Sequence, residues 1–244
     1  MNYNIMNKAT LKTACAAVFA AMLCAGCYDL GIEPSVKTPT VETFVDVRDG
    51  KEYKKVKIGT QTWMAENLNY AADGSVCYDA LWTCAFCPPA LMCDKYGRLY
   101  DWYTAMGDEP SSSAIPSGVE GICPVGWHLP SDAEWKTLTD YVGAHSGTKL
   151  KSHDFHSLED THTPEGTDIY NFSALPAGMA IHNAHEGTND FLHHGELSYW
   201  WSTTEFGNDA HLAWTREMKR DHGEEVGKYS MEKHYMLSVR CVHD

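Results

Sequence analysis

Basic residues are scarce in this 244-residue chain: nineteen Lys and Arg stand against thirty-three Asp and Glu, a formal net charge of −14. Two of the nineteen, Lys8 and Lys12, precede every acidic residue, so the rest of the chain is more acidic still. That balance speaks against nucleic acid or an anionic membrane surface as a partner, because both recruit basic patches. It names no other partner, since an acidic surface also simply keeps a protein soluble. Long apolar runs are missing as well. The stretch 13–22 (TACAAVFAAM) is apolar but too short for a stop-transfer helix. No nucleophile elbow, phosphate loop or HExxH helix is present. An enzyme is therefore not expected, and no cofactor is implied. What the chain does have is 43% hydrophobic and 11% aromatic residues, enough to bury a core. Its length fits one large domain or two small ones.

The N-terminus carries a specific pattern. The basic start and short apolar stretch lead to Leu23-Cys24-Ala25-Gly26-Cys27. Small residues before a cysteine resemble the lipobox of bacterial lipoproteins, where that cysteine is diacylated and becomes the new N-terminus. Cys24 departs from the pattern by standing where Leu is usual, with Leu23 one place early. An ordinary signal peptide followed by a chance cysteine is the alternative. The resemblance implies cleavage before Cys27 and anchoring through it, two acyl chains being what stable attachment requires. Tyr28, in place of the Asp that retains lipoproteins at the inner membrane, implies the outer membrane. The segment 28–43 holds Pro34 and Pro39 and no apolar periodicity, so it reads as a tether. The expected organisation is a signal peptide over 1–26, a tether over 27–43 and one domain over 44–244.

Beyond Cys27 stand Cys77, Cys84, Cys87, Cys93, Cys123 and Cys241. An even number in an exported chain reads as a disulfide set, whose pairing the sequence does not choose. The cluster CYDALWTCAFCPPALMC admits two other readings: a zinc site built on Cys84-x-x-Cys87 with Cys77 or Cys93, or a redox pair.

Periodicity predicts a mixed fold. Strands at 44–48 and 53–58 flank Asp49-Gly50 as a hairpin, and 61–64 continues the sheet. Leu99, Trp102 and Met106 place a helix over 98–106, ended by Gly107. The segment 108–121 is a loop by composition. Ser131 and Glu134 form a capping box that opens a helix with Trp135, Leu138 and Val142 on its apolar face and Gly143 at its end. Further strands are expected at 171–175, 199–203, 211–216 and 235–242, with Leu237, Val239 and Cys241 sharing a face in the last. Strands, two helices and more strands make an α+β domain.

The stretches VKIGTQTWMAENLNY, KYGRLYDWYTAM, CPVGWHLPSDAEWKTLTDYVG, GTKLKS, FSALPAGM, YWWSTTE and SVRCV, in this order, resemble the Fibrobacter succinogenes major paralogous domain of exported bacterial proteins. The spacers at 80–92 and 107–122 are longer than that family's. More distantly, Trp102, Ala105, Cys123, Gly126, Leu129 and Glu134 resemble the first half of a C-type-lectin-like domain, and Val239-Arg240-Cys241 resembles its closing strand. HLPSDAEW is similar to a stretch of the formylglycine-generating enzymes, which share that fold. The lectin-like frame implies two helices packed on irregular antiparallel sheets and a Cys123–Cys241 disulfide. Cys77 and Cys93, bracketing the inserted loop, are expected to pair next, which leaves Cys84 and Cys87 as a local disulfide or free thiols. Fold does not carry activity, so no catalytic residue transfers.

Ligand candidates come from aromatics and histidines. Trp63, Trp102, Trp127 and Trp135 lie inside the motifs and are expected in the core. Trp82 and Phe86 in the cysteine-rich loop, and Trp214 on a strand, are the candidates for stacking on a sugar or a protein partner, with partial burial as the plainer reading. Eight of the thirteen histidines lie between His145 and His194. His153 with His156, and His182 with His185, have spacings that suit zinc, but no apolar periodicity frames them, and a polar surface loop explains them as well. A lectin-type calcium site would need six to eight oxygens; Glu205 and Gly207-Asn208-Asp209 offer only a fragment of its pattern. Three classes follow: a non-catalytic binding or adhesion module for an extracellular glycan or envelope protein, a structural envelope protein without a small ligand, and, last, a formylglycine-generating type of enzyme.

Overall fold

The computed structural model describes residues 37–78, 89–155, 166–183, 185–220 and 223–244. Cys27, Trp82, Cys84, Phe86, Cys87 and His156 lie outside them. The fold below is that of the unit Thr38–Asp244.

Two mixed layers of strand and helix make an α+β architecture. The first sheet has the order β1-β2-β3-β12-β5, from β1 (Val41–Val45), β2 (Glu52–Ile58), β3 (Gln61–Met64), β12 (Val242–His243) and β5 (Trp127–His128). The second has the order β10-β9-β8-β11-β6-β7, from β10 (Gly227–Glu232), β9 (Asp209–Lys219), β8 (Leu197–Phe206), β11 (Tyr235–Ser238), β6 (Met179–Asn183) and β7 (Thr188–Leu192), with β4 (Leu99–Tyr100) pairing to β11. Four helices are described: α1 (Pro89–Tyr96), α2 (Trp102–Met106), α3 (Asp132–Val142) and α4 (Ser146–Leu150).

Period two sorts the core. On β8, Trp200 faces the cluster of Trp63, Trp135, Leu138 and Phe172, while Trp201 faces that of Tyr100, Trp102, Leu237 and Cys241. On β3 the neighbours Trp63 and Met64 divide the same way. All four motif tryptophans are buried. Leu237, Val239 and Cys241 do share one core, though the strand breaks between β11 and β12. A third cluster, with Tyr78, Met92, Tyr96 and Met236, lies beside the Cys77–Cys93 disulfide.

The expected elements differ from the observed ones in instructive places. The first strand begins at Val41, inside the stretch read as tether, and 46–51 is turn, not strand end. Asp46 causes this. Its buried carboxylate accepts from Arg48 Nε at 2.9 Å and Nη2 at 2.7 Å. Burial alone would raise the Asp46 pKa, but those bonds bring it below the usual carboxylate value. The expected helix over 98–106 is a short strand followed by α2. Asp101 accepts from Thr104 N at 2.6 Å, and this N-cap starts the helix after Leu99 has already paired with Ser238. No strand forms at 171–175, because Asn171 and Ser173 adopt positive φ and Asp168 Oδ1 ties down Ser173 N at 2.8 Å. The pattern missed the β6–β7 hairpin, β10, α1 and α4.

The capping box forms as expected: Ser131 Oγ accepts from Glu134 N, and Glu134 Oε2 accepts from Ser131 N at 3.0 Å. Glu134 does more than cap. Its Oε2 also accepts from Ser117 N, pinning the 108–121 loop, and its Oε1 lies 2.8 Å from His128 Nε2. The other ring nitrogen of His128 lies 2.7 Å from Asp244 Oδ1. Burial would lower the His128 pKa, but the two carboxylates outweigh it and raise it above 6.5. The sign follows. This stabilisation is fully present below 6.5 and is lost as pH rises through the raised native value. His128→Asn is expected to cost about 2 kcal/mol at pH 6, the scale of a hydrogen bond to a charged partner. The gap from the parent protein narrows toward pH 9, as urea unfolding at both pH values reads directly. A gap that widens with pH would contradict this arrangement.

Candidate functional site

The sequence motifs meet in the interior. Asn67 of the WMAENLNY stretch offers its Oδ1 to Trp200 Nε1 at 2.8 Å and to Arg240 Nη2 at 2.7 Å. Its Nδ2 donates to Tyr96 O at 2.9 Å. Arg240, 1% exposed, also donates to Phe172 O and lies over the Phe172 ring at 4.3 Å. Burial lowers the Arg240 pKa to about 9, with Glu66 and Asp168 working against that, so the group keeps its charge at pH 7. Gly97 is needed beside this knot: at φ +78 a Cβ would lie 2.6 Å from the Asn67 side chain. These motif residues build the fold and leave nothing exposed to a ligand.

A groove of about 440 Å³ lies elsewhere, lined by Gly74, Ser75, Val76, Asp101, His182, Asn189, His234 and Met236. Four separate segments build it. Val76 is held by backbone bonds in both directions with Leu99. Asp101 is the cap of α2, and Met236 of β11 pairs with Ala180. His182 and Asn189 face each other across the β6–β7 hairpin, with His182 Nδ1 3.1 Å from Asn189 Oδ1. His234, in the turn between β10 and β11, places Nδ1 3.3 Å from Glu232 Oε2. No Lys or Arg is among these lining residues.

Of the expected histidine ligands, His182 reaches the groove, whereas His153 and His185 are exposed at other positions. His182 sits on a strand and His185 in the turn after it, so the pair does not share a helical face. Among the described residues no group of three or more His, Cys, Asp and Glu could hold a metal ion. His194 of the same run is consumed by packing between the rings of Tyr78 and Tyr96, each at 4.6 Å. Burial, helped by Lys95, lowers its pKa to about 4, so the ring is neutral at physiological pH. Trp214 is half-buried, with Lys228 Nζ 3.8 Å from its ring centroid and the Phe206 ring edge-on at 4.7 Å. One face of the indole is thus already covered. Disulfides join Cys123 to Cys241 and Cys77 to Cys93, the pairs that the lectin-like frame and the bracketing of the insert imply.

The family model of the Fibrobacter succinogenes major domain matches residues 56–243, from within β2 to the end of β12. The chain belongs to this family. No curated protein and no solved structure matches it. The Fibrobacter succinogenes major domain therefore spans both sheets, the Asn67–Arg240 knot and the groove. No helix among the described residues is long and apolar enough to cross a membrane.

Sequence reasoning missed Asp101, Asn189, His234, Met236 and Val76 as site residues. Two signals were there to use. Asp101 precedes an apolar turn at N-cap spacing, and Gly187, at φ +65, marks a turn between alternating MAIHN and TNDFL. Neither signal says that these segments meet.

Proposed function

We propose that this protein is a non-catalytic binding module of the bacterial cell envelope that takes an extracellular glycan or protein into the groove between Asp101, His182, Asn189 and His234. The observation that carries this reading is the division of labour among residues. The motif tryptophans and the Asn67–Arg240 knot are buried in the fold, while the groove sets Asp101, the one motif residue in its lining, beside His182, Asn189 and His234 over an apolar floor of Val76 and Met236. Such a combination is the usual make-up of a ligand site. The anchor in this reading is a lipid on Cys27, with the domain held at the outer membrane by the tether. A C-type-lectin-like arrangement belongs to the same proposal, supported by the disulfide from the segment between α2 and α3 to the segment before β12.

Two experiments test the two halves. The His182→Ala/His234→Ala double variant should lose binding to immobilised envelope polysaccharides or proteins while its melting temperature stays within a few degrees of the parent. Unchanged binding would refute the groove. For the anchor, Cys27→Ala should accumulate as a slower-migrating, unlipidated precursor, and normal processing of that variant would refute lipidation. A folded protein that binds no envelope component would leave the purely structural role, which the buried motifs also fit.

A further inference from the structure

We infer that the groove selects hydroxyl-rich saccharides that carry no negative charge and needs no metal to do so; this rests on the binding-module reading and names its ligand class. Asn189 Oδ1 can only accept, so His182 Nδ1, 3.1 Å away, carries the ring proton. In the neutral ring His182 Nε2 is then an acceptor. The same holds for His234, whose Nδ1 lies 3.3 Å from the Glu232 carboxylate. Asp101 is an acceptor throughout, with one oxygen engaged by Thr104 N. Ser75 Oγ is already spent, donating to Ala72 O at 2.6 Å and accepting from Arg98 Nη1 at 3.2 Å. The groove is therefore rich in acceptors, with the Asn189 amide as its side-chain donor, and it has no lysine or arginine in its lining.

A carboxylate or phosphate brings only acceptors. In this groove it would meet the Asp101 charge and lone pairs, an arrangement that costs free energy because the acceptors that the ligand covers are left unpaired. A neutral sugar brings hydroxyl donors to match His182, His234 and Asp101, hydroxyl acceptors for Asn189, and an apolar C–H face for Val76 and Met236. The overall charge of −14 further repels polyanions. Two imidazoles and a carboxylate are also metal ligands by type, but no described group of three is close enough to hold an ion.

The test uses the full chain purified in detergent, with hexasaccharides of equal length: neutral cello-, xylo-, manno- and malto-hexaose, anionic hexagalacturonate and the cationic hexamer of glucosamine, each with and without EDTA. At least one neutral hexaose should bind, with affinity unchanged by EDTA. Asn189→Ala and Asp101→Asn should each weaken it at least about tenfold, the loss of one good polar anchor. Asparagine preserves the α2 cap, so melting temperature serves as the folding control. Preferential binding of hexagalacturonate, loss of binding in EDTA, or no neutral binding would each overturn the inference, whereas binding of the glucosamine hexamer alongside a neutral hexaose supports it. If hexagalacturonate alone binds and Asn189→Ala abolishes it, the groove stands and only the ligand class falls. If a neutral hexaose binds and both variants leave it unchanged, the groove itself falls.

Discussion

Removing the Cys123–Cys241 disulfide by the double substitution Cys123→Ala/Cys241→Ala should destabilise the domain by about 4–5 kcal/mol. The bond spans 118 residues, so without it the unfolded chain regains nearly the largest loop entropy a single cross-link in this domain can remove. Both cysteines are fully buried against Leu237, Val239 and Trp201, so the alanines also lose packing. Domains of this size hold only about 5–15 kcal/mol in total. The variant should therefore unfold at markedly lower urea, and its midpoint should no longer respond to reductant at this bond. Removing Cys77–Cys93, which spans 16 residues, should cost less, about 3 kcal/mol by the same relation. Equal costs, or a cost below about 1 kcal/mol for the long-range pair, would show that the chain-entropy account does not govern this fold.

The second large effect is expected at Arg240. Arg240→Ala removes a fully buried side chain from between Phe172 and Trp200 and strips partners from Asn67 Oδ1 and Phe172 O. A cavity and orphaned acceptors together should cost about 3–5 kcal/mol. Asn67→Leu removes the amide that holds the guanidinium and should cost a similar amount, because a buried charge loses its Nε and Nη2 acceptor and keeps only the Phe172 carbonyl. The two should not add. Arg240→Met/Asn67→Leu, which replaces the polar knot by apolar side chains, is expected to be more stable than the sum of the singles Arg240→Met and Asn67→Leu predicts, by about 1–3 kcal/mol. Urea unfolding of the two singles and the double measures this coupling, and strict additivity would show that the Arg240–Asn67 contact contributes nothing of its own.

The disulfide and the knot show why the motifs were legible and the groove was not. The large apolar residues of these stretches, such as Trp63, Leu99, Trp135 and Trp200, proved to be the structural interior. The capping box at Ser131 and Glu134 was readable because its two hydrogen bonds join residues three apart. Trp63, Trp102, Trp127 and Trp135 were readable as core because apolar residues that large, set inside the motifs, seldom stay exposed. Where a local polar group competed with the periodicity, the reading slipped. Asp101 began a helix four residues late, and Asp168 turned a strand-like run into left-handed turns.

By itself, the sequence determined that the chain is acidic, folds as an α+β domain with a capped central helix, and carries the motifs of its family. Each of these is written in composition or in neighbours a few residues apart. Only the tertiary structure decided that Asn67, Phe172, Trp200 and Arg240 form one knot, that Cys123 reaches Cys241, and that Asp101, His182, Asn189 and His234 face a common groove. Those partners stand tens to more than a hundred residues apart. Their meeting depends on how the sheets pair and close, an outcome of the whole chain's packing that no short-range pattern encodes.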